Sequence, residues 1–418
     1  MSILNVNQIQ PVGSGQTVTI SATNVDAGSA TVTAGTFSGA GNLTNLTVSG
    51  AGNLTNLTVN GQNLPTAGPL SNRNLIINGA MQVAQRGTQV TGVASSGYRT
   101  VDRFRINFSS LGTWTIDQAT DAPAGFTKSF KATCTTADAS PAATDSALII
   151  YQPEAQDLQL LDFGASGAKS TTLSFWVKSN KTGAATIAVL QLDNSNKLVS
   201  FEYSISSADT WEQKTITIPG DTAGVINDDN GPGLQFEWWL NSGSDNTAGS
   251  HRVTWTTFAE GDRNPSNLGV GGATSDYFAI TGVQLEVGSV ATPFEHRSFG
   301  DELRRCQRYF EKSYDTNVAP GTSTYNGVNT NGGLTGMAAA NYATRGDSTF
   351  KVTKRAQPTV VTYDGAGNNG KCNYPDSTTN QSFTVIHRGF QGFTAETGPL
   401  SNGTDTRCYW HWTADSEL

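Results

Sequence analysis

Leu234-Gln-Phe-Glu-Trp-Trp-Leu240 is apolar at Leu234, Phe236, Trp238 and Leu240, with polar Gln235 and Glu237 between them. Side chains alternate across a strand with a period of two, so this spelling predicts a strand with one buried face. Thr172-Leu-Ser-Phe-Trp-Val-Lys178 repeats the pattern, with Leu173, Phe175 and Val177 on one side. Thr186-Ile-Ala-Val-Leu-Gln191 and Lys214-Thr-Ile-Thr-Ile218 are further strands of the same region. Short strands parted by polar turns predict an antiparallel β-sandwich. It opens at Asn74-Leu-Ile-Ile-Asn-Gly-Ala-Met81 and closes near Val283-Gln-Leu-Glu-Val287 and Pro293-Phe-Glu295, which bounds the domain at residues 73–297.

Upstream the composition changes. Residues 1–72 hold one charged residue, Asp26, and one aromatic, Phe37. That is too little apolar surface to offset the ordering entropy of a globular core. Yet Gly41-Asn-Leu-Thr-Asn-Leu-Thr-Val-Ser-Gly50 recurs as Gly52-Asn-Leu-Thr-Asn-Leu-Thr-Val-Asn-Gly61, a period of 11. The pairs Leu46/Val48 and Leu57/Val59 each fall on one strand face, and a single chain cannot bury them. Three chains about a common axis can, which predicts a fibrous trimeric shaft and linker over 41–72. The competing reading is a flexible Gly/Thr/Asn linker.

Downstream, Ser298 and Asp301 form a weak capping box. Leu303, Cys306, Gln307 and Phe310 follow as a narrow helical stripe, beside the solvated Arg304, Arg305 and Arg308. This predicts a short connecting helix within 298–314. Phe350–Thr353, Pro358–Tyr363 and Cys408–Thr413 then return to strand-type spelling, giving a C-terminal β domain over 315–418. The fold class is all-β apart from the one helix.

Net charge is −8 and charged residues are 14 % of the chain, against about 25 % in an average soluble protein. Nucleic acid and anionic membrane surfaces are poor partners for such a chain. The apolar runs, Ala147–Tyr151 among the longest, are too short to span a bilayer, and the first residues lack the pattern of a secretory leader. Cys134, Cys306, Cys372 and Cys408 are scattered, with no CxxC pair, and are expected as buried free thiols.

Little in the sequence suggests chemistry. His251, His296, His387 and His411 have no metal-type spacing. Gly365-Ala-Gly-Asn-Asn-Gly370 matches a dinucleotide fingerprint, but Lys-Cys-Asn-Tyr-Pro375 follows where a helix is required, so a hairpin loop is expected. Asn227-Asp-Asp-Asn-Gly231 lacks the alternation and the downstream Glu of a calcium loop. No cofactor, metal or catalytic group is expected. The candidate ligand-binding residues are Trp176 with Lys178 and Trp239 with Glu237. Each tryptophan sits on the polar face of its strand, as a sugar-stacking platform requires. The alternative is that a neighbouring subunit covers them. Tyr314–Asn402, rich in Gly, Asn, Thr and Tyr, suits long exposed loops, and the C-terminal domain is expected to set recognition specificity while the sandwich acts mainly as a spacer with weak glycan affinity.

The opening Met1-Ser-Ile-Leu-Asn-Val-Asn-Gln-Ile-Gln-Pro11 with Thr17-Val-Thr-Ile20 resembles the attachment segment of bacteriophage tail fibres, especially those of cyanophages and marine phages. Asn74–Gly87 with Tyr98-Arg-Thr-Val-Asp-Arg-Phe104 is similar to the start of their carbohydrate-binding-module-like jelly roll. Gly282–Arg297 resembles its last strand, and Glu302–Phe310 and Thr413–Leu418 fit the same family. The resemblance implies a non-catalytic homotrimeric virion protein. Residues 1–40 would attach it to a tail, baseplate or capsid protein, and its partner would be a bacterial surface glycan. A head fibre or capsid decoration protein shares these parts. A glycan-depolymerising tailspike is a further alternative, disfavoured for want of a long β-helix to carry paired acids.

Overall fold

The computed structural model describes residues 58–59, 62–63, 71–193, 196–331, 343–374, 380–398 and 407–418. The chain divides into two compact units, Met1–Leu54 and Thr55–Leu418, and every described residue belongs to the second. The attachment segment and the repeats up to Leu57 lie outside the described residues. The end of the second repeat, β1 (Thr58–Val59), pairs antiparallel with β2 (Gln62–Asn63).

Two antiparallel sheets follow. The six-stranded sheet runs β12 (Glu212–Ile218), β9 (Thr171–Ser179), β15 (Tyr277–Val287), β7 (Ser129–Thr136), β6 (Thr113–Ala119), β3 (Gln89–Val93). The seven-stranded sheet runs β14 (Thr256–Thr257), β11 (Lys197–Ile205), β10 (Gly183–Gln191), β13 (Leu234–Ser242), β8 (Ser146–Tyr151), β5 (Arg105–Ser109), β4 (Gly97–Tyr98). A helical turn, α1 (Ser244–Thr247), follows β13. The chain changes sheet from β7 to β8, to β9 and to β10, a jelly-roll-like winding. Between the sheets, Leu173, Phe175 and Val177 of β9 share a core with Phe236, Trp238 and Leu240 of β13. Phe175 and Trp238 meet edge to face at 5.9 Å. Each such side chain contributes about 1.5–3 kcal/mol by leaving water, so the alternation fixes the register of both strands.

The segments that open and close the sandwich hold each other. Asn74 donates from Nδ2 to the Val283 carbonyl (3.1 Å), and its Oδ1 accepts from Ile76 N (2.9 Å) and Leu285 N (3.1 Å). Val283 N donates to the Gly79 carbonyl (2.9 Å), and the Val283 carbonyl lies where a Gly79 Cβ would stand, so only glycine fits. Arg297 donates to the carbonyls of Asn74 and, at 3.0 Å, Ile76, and to Glu302 Oε1 at 3.0 Å.

The helix α2 (Phe299–Gln307) starts at Ser298, whose Oγ accepts from Asp301 N (3.2 Å) and donates to Asp301 Oδ2 (2.6 Å). Cys306 and Gln307 are buried and Arg304 and Arg305 exposed. Phe310, expected to extend the helical stripe, instead begins β16 (Phe310–Lys312). That strand pairs with β23 (Tyr409–Asp415), which also pairs with β17 (Asn329–Thr330) and β19 (Thr359–Tyr363). A second sheet runs β18 (Arg345–Thr349), β22 (Gly392–Thr397), β21 (Gln381–Arg388), β20 (Lys371–Cys372). Trp410, Trp412, Cys408, Cys372, Phe350, Phe383 and Phe393 fill the core of this part. The glycine segment 365–370 is a hairpin loop in which Asp364 Oδ1 accepts from Ala366 N and Asn368 N, both at 2.9 Å. All four cysteines are buried and free.

The two β parts are joined by ion pairs. Arg308 donates to both oxygens of the buried Glu154, each at 2.7 Å. Arg103, wholly buried, pairs with Glu417, and Arg86 reaches Asp415 at 2.9 Å and Asp102 at 3.7 Å. Tyr98 OH donates to the Leu418 carbonyl at 3.0 Å.

Candidate functional site

The two tryptophans picked out by sequence lie on different sheets, on opposite outer faces of the sandwich, so they do not form one site. The β13 pair is buried. Trp239 is 1 % exposed and Glu237 0 %. Leu148 and Ile150 of β8, Ala188 and Leu190 of β10 and Leu198 of β11 surround the Trp239 ring on the outer face. The segment after β13 folds back over them. Its Arg263 guanidinium stands 4.9 Å above the Trp239 ring and 5.8 Å from Phe258. Arg263 donates to both Glu237 oxygens, from Nη2 at 2.7 Å and from Nε at 3.1 Å, and Trp239 Nε1 adds a bond at 3.2 Å. The polar spelling of β13 therefore does not mark an open face: the chain itself covers Trp239, because the neighbouring strands present apolar side chains there.

The β9 pair sits otherwise. Trp176 and Lys178 are half-buried on the outer face of the six-stranded sheet, with Trp176 in register with Gln213 of β12 and Thr281 of β15. Beside them β15 bulges between Thr281 and Gln284, where Gly282 takes φ 59°. A Cβ on Gly282 would meet Phe126 Cζ at 2.7 Å and Trp176 Cδ1 at 2.9 Å, so the missing side chain lets both rings close over the backbone. Phe126 lies 5.0 Å from Phe294 and 5.3 Å from His296, and these two are 4.9 Å apart. Phe126 and Phe294 are half-buried and His296 is exposed, so the strip is open to solvent.

Buried polar groups of β15 position the Phe294 end. Glu286 accepts from Thr292 N (2.8 Å) and Thr292 Oγ1 (2.6 Å), Gln284 Nε2 donates to Glu286 (2.9 Å), and Gln284 Oε1 accepts from Glu295 N (2.7 Å). Polar groups flank the Trp176 end. Asp121 accepts from Lys178 Nζ at 2.8 Å and from Trp211 Nε1 at 3.1 Å. Burial works against the Asp121 charge, yet the bonds from Lys178 and Trp211 and the nearby lysines hold its carboxyl below the usual carboxylate range. Tyr277 OH donates to Asp209 at 2.6 Å, with Lys131 Nζ 4.2 Å from the Tyr277 ring centre. Aromatic faces with fixed donors and acceptors at the edge are the equipment for stacking and hydrogen-bonding a polyhydroxylated ring.

Phe126, Phe294, Trp211 and Asp121 escape sequence reasoning because they come from loops with no periodicity. No group of three or more His, Cys, Asp or Glu among the described residues is placed to hold a metal, and none of the helices there is long and apolar enough to cross a membrane.

No family model and no curated protein matches the chain. Solved structures with local likeness include the enzymatically active domain of bacteriophage CBA120 tailspike protein 4. It is 12 % identical over 51 % of this chain, with a TM-score of 0.27, and the match spans only 21 % of that tailspike. A family 4 carbohydrate-binding module is 14 % identical over 50 % of this chain and 98 % of its own, with a TM-score of 0.25. A family 61 module in complex with β-1,4-galactotriose is 11 % identical over 52 % of this chain and 99 % of its own, with a TM-score of 0.24. Likeness at this level adds nothing to the fold described above.

Proposed function

We propose that the outer face around Trp176 is a glycan-binding platform, and that the protein is the adhesive part of a phage virion, a trimeric tail fibre that holds a bacterial surface polysaccharide. The observation that carries this reading is the solvent-open strip of Trp176, Phe126, Phe294 and His296 on an otherwise polar sheet face, edged by the bonded trio Asp121, Lys178 and Trp211. Pyranose rings stack on such rings through their C–H faces, while carboxylate and ammonium bind the hydroxyls. The fibre role rests on the sequence resemblance and on the uncharged repeats of residues 41–61. Three chains in one fibre multiply a weak single-site affinity by roughly 10²–10⁴.

The experiment is a titration of the full chain against envelope polysaccharides of candidate host bacteria, with Trp176→Ala as the comparison. Loss of one stacking ring is expected to weaken binding about tenfold or more. Release of new reducing ends from the polysaccharide would identify a depolymerase instead. Unchanged binding in the Trp176→Ala chain would remove the platform.

A further inference from the structure

From the aromatic strip the chain runs on to the wall of a cavity. His296 is followed three residues later by Phe299, the first residue of α2, which is 49 % exposed. Phe299 forms one wall of a cavity of about 660 Å³, between the sandwich and the loop after β16, where Gln82, Gln118, Lys312, Asp315 and Asn317 also line it. Gln82 ties this cavity to the strip from the other side: its Nε2 donates at 3.0 Å to the hydroxyl of Thr127, the residue after Phe126. Platform and cavity are thus linked at two points: the segment from Phe294 to Phe299 runs from one to the other, and Gln82 of the cavity lining bonds to the loop carrying Phe126.

The lining decides what fits. The volume lies within the range of about 300–1,000 Å³ usual for small-molecule sites. Lys312, its cationic member, is not free. Its Nζ donates to the carbonyls of Thr316 (3.1 Å) and Val318 (2.5 Å), and burial pulls its pKa down to about 8. Asp315 is exposed at the rim. An anionic group would meet that carboxylate and a lysine that already gives two of its three N–H bonds to backbone carbonyls, whereas hydroxyls would meet amides, carbonyls and a carboxylate.

We propose that this cavity is a chain-end subsite, taking the terminal residues of a neutral oligosaccharide whose preceding rings stack along Trp176, Phe126 and Phe294. The inference rests on the platform reading above and adds the direction and the end of the bound chain. Four full-length chains test it: wild type, Trp176→Ala, Phe299→Ala, and Thr88→Trp, which places a bulky ring from an exposed lining position into the cavity. The probes are neutral oligosaccharides of graded length on a printed array and in titration, and one long neutral polysaccharide in affinity electrophoresis. Thr88→Trp and Phe299→Ala are expected to lose about tenfold or more for short oligosaccharides and to keep near wild-type retardation by the polysaccharide, whose internal rings still use the platform. Trp176→Ala is expected to lose both. If both cavity variants bind short oligosaccharides as wild type while Trp176→Ala does not, the subsite is overturned and the platform stands. If the wild-type chain binds no neutral glycan the subsite falls, and if it also binds no charged envelope polysaccharide the platform falls with it.

Discussion

Replacing Arg263 with Ala should unfold the sandwich at a much lower temperature, although Arg263 touches no ligand in any reading of this protein. Glu237 is fully buried and receives four hydrogen bonds, two from Arg263, one from Gln235 Nε2 at 2.5 Å and one from Trp239 Nε1. The substitution removes half of these and the counter-charge, and it uncovers the Trp239 ring. Leaving a buried charge without its partner costs about 3–5 kcal/mol. For a domain of this size roughly 3 °C of melting temperature goes with each kcal/mol, so a drop of about 9–15 °C is expected. The double variant Arg263→Met with Glu237→Gln removes both charges and should recover most of that loss. Thermal unfolding followed by tryptophan fluorescence and circular dichroism gives the numbers. A drop of less than about 3 °C for Arg263→Ala would mean that Glu237 is solvated and the β13 face open, and Trp239 would return as a platform candidate.

Burial pushes the Asp102 carboxyl up to about 6 against the pull of Arg86 and the Gln85 bond. Its folded pKa thus exceeds the unfolded value, so the folded state holds the extra proton and stability falls as pH rises from about 4 to 6. The stability of wild type minus that of Asp102→Asn should therefore fall by an amount on the order of 3 kcal/mol between pH 4 and pH 7, measured by denaturant titration; a flat difference would refute the assignment. Glu417→Ala removes the carboxylate facing wholly buried Arg103 and should cost about 3–5 kcal/mol, with early protease cleavage between the two β parts as the readout. Light scattering of the full chain at micromolar concentration should give three subunits, and a monomer would defeat the shaft.

What the sequence made legible depends on how many faces a strand buries. β9 packs its inner face on the core and keeps part of its outer face wet, so Leu173, Phe175 and Val177 alternate with Trp176 and Lys178 and the strand is readable alone. β8 buries every residue. Ala147-Leu-Ile-Ile-Tyr151 therefore appears as an unbroken apolar run, which by length alone says only that it is too short for a membrane-spanning helix. Two of the run's five residues, Leu148 and Ile150, are the floor on which Trp239 lies. The clue to the fate of Trp239 was in the sequence, but on a different strand from the tryptophan. Register between strands carries that information, and period-two counting within one strand does not. The platform was half legible for the same reason: Trp176 and Lys178 follow from alternation, whereas Phe126 and Phe294 arrive through a bulge at Gly282 and a segment pinned by Glu286 and Gln284.

The clamp between Asn74 and Arg297 also sets how the molecule carries load. Arg297 holds the carbonyls of Asn74 and Ile76, and Glu295 Oε2 accepts from Asn74 N at 3.0 Å. Tension entering the sandwich at Arg73 can pass across these bonds to Arg297 and on into α2 without drawing through the two hundred or so intervening residues. The bonds act as a mechanical shunt. A pull applied between the start of the sandwich and the C-terminal β part would strain a short parallel set of hydrogen bonds, while the sheet bearing Trp176 keeps its shape.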